Sequence, residues 1–281
     1  MGAKFGPAGM CELAAQEKVK HTVALMTWLK EKDLDAFEYQ CGRGVNIKQE
    51  KAEEIASAAR ENDIALSVHA PYFISLASAE EEKRDNSVGY ILKSAEAAKW
   101  LGAKRIVVHP GGIGKMKREE ATALACETLK KAIAALDENG LGDIIMCPEV
   151  MGKINQLGDV DEVLTFCALD ERMLPCVDFG HLNSRTHGGM KTVEDYYAVF
   201  DKIENKLGHE RLDNMHIHFS RIEYSAGGEV RHLTFEDTVF GPEQSVFIEA
   251  VRTRGISPTV ICESAGTQTL DSMAMKSLYI K

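Results

Sequence analysis

Residues 105–110 read RIVVHP, a short apolar run that stops on His109. Gly102 stands just ahead of it, where the glycine stop of a preceding helical stretch (about 80–101) belongs. A second helical stretch follows at about 118–139 and closes on Gly140. The unit is therefore strand, then helix, and it recurs in both directions. Strands are expected near 3–6, 36–40, 65–70, 105–110, 144–150, 174–181, 214–220 and 259–265. Helices are expected at about 12–31, 48–62, 80–101, 118–139, 159–169, 192–208 and 242–254. Residues 51–60 show the pattern clearly: Ala52, Ile55, Ala56 and Ala59 fall at helical spacing with charges between them.

Eight such alternations favour an α/β fold of the (β/α)8, or TIM barrel, type, and 281 residues suit one such domain over 1–281. No GxGxxG follows the first strand and no Walker-type loop occurs, which argues against a nucleotide cofactor. The segment 221–241 reads as one long loop, a feature that is commonly functional. The composition is ordinary, 44% hydrophobic and 27% charged, with no apolar run long enough to span a membrane. The first ten residues lack the pattern of a signal peptide. Seven cysteines, an odd number without a CxxC pair, read as reduced thiols of a cytoplasmic protein. The net charge of −10 speaks against broad nucleic-acid binding through a basic surface. It does not exclude a nuclease, since three divalent ions would add roughly six positive charges.

The chemistry lies where strands end. His69 closes ALSVHA, His109 closes RIVVHP and Glu149 closes IIMCPEV. Asp178 and His181 close LPCVDFGH, His216 and His218 lie in NMHIHFS, and Glu263 closes TVICESA. In a parallel barrel all these ends share one face, which is where such enzymes work. A single strand-end histidine is usually just hydrogen-bonded, but six strands in succession ending this way call for a common cause. Burying several carboxylates together costs several kcal/mol per ion unless cations accompany them. Imidazole and carboxylate without thiolate suit zinc, manganese or iron. With Glu229 and His232 from the long loop, the donors suffice for two or three ions.

The motifs SVHAPYFISLAS, VVHPGG, PEVMG, VDFGHLNS and CES, spread over about 36–265, resemble those of the endonuclease IV family of apurinic/apyrimidinic endonucleases, in a divergent form. The resemblance implies a trinuclear Zn2+ site, Mn2+ or Fe2+ being alternatives. It implies His69, His109 and Glu149 on a first ion, and Glu149, Asp178, a seventh-strand histidine and Glu263 on a second. His181 and His232, with a carboxylate, would serve a third. His218 is favoured over His216 because it lies nearer the strand end, which leaves His216 as a supporting partner. The family places an Asp two residues before its loop histidine. Here the text is GGEVRH, so Glu229, three before His232, is the nearest carboxylate.

The implied activity is hydrolysis of DNA on the 5′ side of abasic sites, with trimming of blocked 3′ ends. Glu149 would act as the bridging carboxylate and Glu263 would orient the nucleophile. Duplex DNA carrying abasic or 3′-blocked sites is the expected partner of a monomer that binds no membrane. Arg43 in the CGRG loop, Tyr72 in HAPY, and Arg185, Arg221 and Arg231 are the candidate DNA contacts. Two other readings stay open. One is a sugar isomerase or epimerase of the xylose-isomerase-like barrels, which would use one or two ions, and no lysine at a predicted strand end supports it. The other is a metal-containing protein that binds damaged DNA without cutting it.

Overall fold

The computed structural model describes residues 2–281. Seven parallel strands come first: β1 (Lys4–Pro7), β2 (Ala36–Gln40), β3 (Ala65–His69), β4 (Arg105–Val108), β5 (Ile145–Pro148), β6 (Cys176–Asp178) and β7 (His216–Phe219). An antiparallel hairpin, β8 (Ile222–Ser225) and β9 (Gly228–His232), leaves the barrel, and β10 (Thr259–Cys262) returns to it. Hydrogen bonding gives two four-stranded parallel sheets, ordered β1-β10-β7-β6 and β2-β3-β4-β5. Parallel bridges Ala8–Glu38 and Glu149–Cys176 join their edges, so the eight strands close into a ring. Gly6 lets β1 come close to β2, since a Cβ there would stand 1.7 Å from the Ala36 carbonyl oxygen.

Alternation along each strand sends two kinds of residue to two places. Val68, Ile106, Val108, Met146, Val177, Ile217, Phe219 and Val260 join the main apolar core. Val107, Cys147, Leu174 and Cys176 form a separate small cluster. The buried polar residues Glu38, Ser67, His69, His216 and His218 sit on the same strands.

The helices follow the expected plan with four corrections. The stretch 12–31 is two helices, α1 (Glu12–Gln16) and α2 (Thr22–Glu31), separated where Lys18 takes a φ of 63°. The helices α3 (Gln49–Glu61), α4 (Glu81–Leu101), α5 (Arg118–Glu138) and α6 (Val160–Cys167) fall where expected. The sixth strand stops at Asp178, not at His181. The Asp178 carboxylate accepts from the His181 backbone N–H at 2.7 Å and so starts α7 (Phe179–Arg185). His181 is therefore a first-turn helical residue. The stretch 192–208 is α8 (Val193–Leu207), followed by the short α9 (His209–Asp213), and α10 (Gln244–Arg254) follows the hairpin. The last helix, α11 (Gln268–Tyr279), was not expected. It packs on β1, with Phe5 and Tyr279 rings 5.4 Å apart. Among the described residues no helix is long and apolar enough to cross a membrane.

Candidate metal centre

Groups of donors converge at the C-terminal ends of the strands, each with its atoms within 4.8 Å of one another. The first is His69, His109 and Glu149, the second Glu149, Asp178, His218 and Glu263, and the third His181, Glu229 and His232; a further set, His69, His218 and Glu263, overlaps the first two. Ligand atoms on opposite sides of an ion with bonds of about 2.0–2.1 Å stand about 4 Å apart, so these spacings fit metal coordination. Glu149 belongs to two of the groups and joins them.

The local hydrogen bonds orient these rings. His69 Nδ1 lies 2.8 Å from the Ala70 carbonyl oxygen, and His181 Nδ1 lies 3.0 Å from that of Val150. A carbonyl only accepts, so each Nδ1 carries the proton and each Nε2 presents a lone pair. Those lone pairs face carboxylates: His69 Nε2 is 3.4 Å from Glu149 Oε2, and His181 Nε2 is 3.4 Å from Glu229 Oε2. His232 Nδ1 pairs with Ser220 Oγ at 2.8 Å.

Glu149 Oε2 and Asp178 Oδ2 are fully buried and accept no hydrogen bond. Glu149 Oε2 nonetheless lies 2.9 Å from His109 Nε2, which makes this a side-by-side contact out of line for N–H···O. Ligands around one ion touch in this way, because their lone pairs point at the ion and not at each other. Burial alone would raise the Glu149 carboxyl, but the His109 and His218 imidazoles hold it well below the usual range. Burial alone would lower His69 and His181. The Glu149 contact instead lifts His69 to about 9, and Asp178 with Glu149 lifts His181 to about 10. The cluster thus draws positive charge strongly, as proton or metal. Among the described residues no lysine or arginine pairs with any of these donors.

The third group depends on a bulge. In the hairpin, Glu223 pairs with Arg231 and Tyr224 with Glu229, so Val230 has no partner. Residues three apart on a regular strand face opposite ways. The extra residue brings Glu229 to the same side as His232. This is how a carboxylate three positions before the histidine reaches the site. Two glycines let the hairpin in. A Cβ on Gly152 would stand 2.6 Å from Glu229 Cβ, and one on Gly228, where φ is +90°, would stand 2.2 Å from the Gly152 carbonyl oxygen.

The seventh strand carries two histidines with different partners. His218 Nδ1 lies 3.1 Å from Glu149 Oε1 and 3.5 Å from Glu263 Oε2. His216 turns instead to Glu38, with Nε2 2.9 Å from Oε2. Sequence reasoning missed Glu38. The signal was available in AFEYQ, a lone carboxylate in mid-strand. A deeper group, Cys176, His216 and His218, also has close donor atoms. Burial, with smaller contributions from the His218 imidazole and the Arg105 guanidinium, keeps His216 low at about 4.

Two arginines expected at DNA are committed elsewhere. Arg185 donates to the carbonyls of Met151, Lys153 and Gln156 and so ties down the loop after β5. Arg221 is buried, donating to the Asp237 and Phe240 carbonyls and pairing with Glu243 at 2.7 Å. Arg185→Ala is therefore expected to cost about 1–3 kcal/mol of stability by stranding those carbonyls, read by urea denaturation. Arg231 is exposed but paired with Glu223 at 2.7 Å. Arg43 is exposed on the loop after β2, and the Tyr72 N–H donates to the Gly42 carbonyl at 3.2 Å, holding the two loops together. Tyr72 is 61% exposed, and Met10, Phe73, Ile154 and Val239, on loops that follow strands, and Val230, on β9, are exposed as well. Of the histidines outside the site, His21 caps α2, His209 pairs with Glu204 and His187 contacts the Ser225 carbonyl.

A closed ring of eight parallel strands with histidines and carboxylates massed at its C-terminal mouth defines a barrel of the metal-binding type. The family model described as the xylose isomerase-like TIM barrel matches residues 26–278, and the chain belongs to that family. An uncharacterized protein of Methanocaldococcus jannaschii is 35% identical over 92% of this chain and 91% of its own length. A probable endonuclease 4 of Mycoplasma pneumoniae is 30% identical over 55% of this chain and 52% of that protein. The match therefore spans about half the length of that relative. Endonuclease IV from Thermus thermophilus superposes with a TM-score of 0.69 at 17% identity, covering 98% of each chain. A D-tagatose 3-epimerase-like protein gives 0.70 at 20% identity, covering 99% of this chain and 97% of that one. The shared fold thus embraces both nucleases and sugar epimerases and does not separate them.

Proposed function

We propose that the protein is a metal-dependent endonuclease that hydrolyses DNA on the 5′ side of abasic sites, with a trinuclear zinc cluster as its cofactor. The observation that carries this reading is the third donor group, His181, Glu229 and His232, because a sugar epimerase or isomerase needs no third ion. The likeness to probable endonuclease 4 supports it, as do the exposed aromatic and apolar side chains around the mouth, on which unstacked bases can rest. When bound, divalent ions supply a nucleophilic hydroxide near neutral pH and positive charge for the phosphate oxygens. Glu149 holds two donor groups together. Glu263, only partly buried at the open side of the site, orients the attacking water. Tyr72 and Arg43 bind the duplex beside the lesion.

Metal-loaded protein is expected to cut a duplex bearing one abasic analogue, leaving a 3′-hydroxyl, and to lose this activity in chelator. Fully loaded protein that cuts neither abasic nor 3′-blocked DNA would overturn the proposal, and tight binding without product would favour a damage-recognition role. A metal content near one per chain with epimerisation of a ketose would transfer it to the sugar enzymes.

A further inference from the structure

Glu38 lies on β2, one layer below the donors, and is itself a member of none of the groups through which ions would be held, though it touches one of their members, His218. It is fully buried. Its Oε2 accepts from Ser67 Oγ at 2.8 Å and lies 2.9 Å from His216 Nε2. Its Oε1 lies 3.0 Å from His218 Nε2 and accepts from Gln40 Nε2 at 3.3 Å. A carboxylate is an acceptor only. His216 Nε2 therefore carries its ring proton. His218 Nε2 makes no aligned hydrogen bond, while its Nδ1 bonds to Glu149 Oε1 at 3.1 Å and faces Glu263. An ion held on Nδ1 would place the ring proton on Nε2, beside the Glu38 charge.

We infer that Glu38 is a positioning residue whose charge, 3.0 Å from His218 Nε2, favours the Nε2-protonated form of that ring, the form whose Nδ1 can take an ion, and thereby builds the second ion site. His216, which cannot reach that site while paired to Glu38, serves to hold the carboxylate in place together with Ser67. A carboxylate behind a ligating imidazole also makes it a stronger base toward metal, and loss of such a partner commonly weakens metal binding about 10–100-fold. This inference rests on the metal-cluster reading but not on the DNA substrate.

The test is Glu38→Gln, which keeps size and shape. Its amide can still accept from His216 Nε2 but removes the charge beside His218 Nε2, so the Nε2-protonated form of His218 is no longer favoured. Metals per chain, and a titration against a chelator of graded strength, are expected to show one ion bound about 10–100-fold more weakly with the others unchanged. Glu38→Asp, which keeps the charge, is expected to restore part of that affinity. A merely structural role predicts a lower melting temperature of the metal-free protein with an unaltered titration. If Glu38→Gln keeps the full metal count and titration midpoint, the inference is overturned. Because the readout is binding, a wild-type protein that holds three ions but cuts no abasic DNA would sink the nuclease reading and leave this one standing.

Discussion

Glu149→Gln is expected to reduce metal content from about three ions per chain to about one. DNA cleavage should fall by about 10³-fold or more, the equivalent of about 4 kcal/mol of transition-state stabilisation. The reason is that one carboxylate serves two donor groups. An amide keeps the volume, so the buried pocket should still close, but it removes the negative charge around which His69, His109, His181 and His218 are arranged. Elemental analysis and single-turnover cleavage of an abasic duplex would measure the two effects. Retention of three ions and full rate would contradict the joining role.

The second large effect is expected at a residue that bears no functional group. Gly152→Ala would press a methyl group against Glu229 Cβ and, at 2.8 Å, against Ser184 Oγ. Both neighbours are held, Ser184 in the buried face of α7 and Glu229 by its N–H to the Gly152 carbonyl at 3.2 Å. Overpacking of this kind costs about 1–3 kcal/mol. Because the side chain displaced is itself a donor, the third ion should be lost selectively, with the other two retained. Denaturation curves and metal content together check this. A variant of normal stability that still holds three ions would mean the hairpin gives way more easily than its two-glycine contact implies.

The barrel was legible because its strands are short, apolar and punctuated. RIVVHP and ALSVHA carry strand, stop and ligand in six residues, so the elements and their active ends could be read together. What escaped was settled by partners distant in sequence. Asp178 and His181 look like one strand in LPCVDFGH, since only a cap formed in three dimensions shows the chain turning into helix there. Arg185 and Arg221 looked like phosphate ligands because a sequence does not reveal which backbone carbonyls lie within reach. GGEVRH departs from the family spacing by one residue, and the unpaired Val230 shows how Glu229 still comes to the side of His232. Glu38 was overlooked for the opposite reason: it lies within a strand, while attention fell on the ends.

β10 is hydrogen-bonded on one side to β1 and on the other to β7, and the residue that follows it is Glu263. During synthesis, then, β1 waits until residues 259–262 have emerged before this neighbour exists. The cluster gains its last carboxylate in the same event. On the proposed metal-cluster reading, loading would report completion of the ring, and a chain truncated before residue 259 is expected to leave the ribosome with an open sheet edge and an incomplete donor cluster.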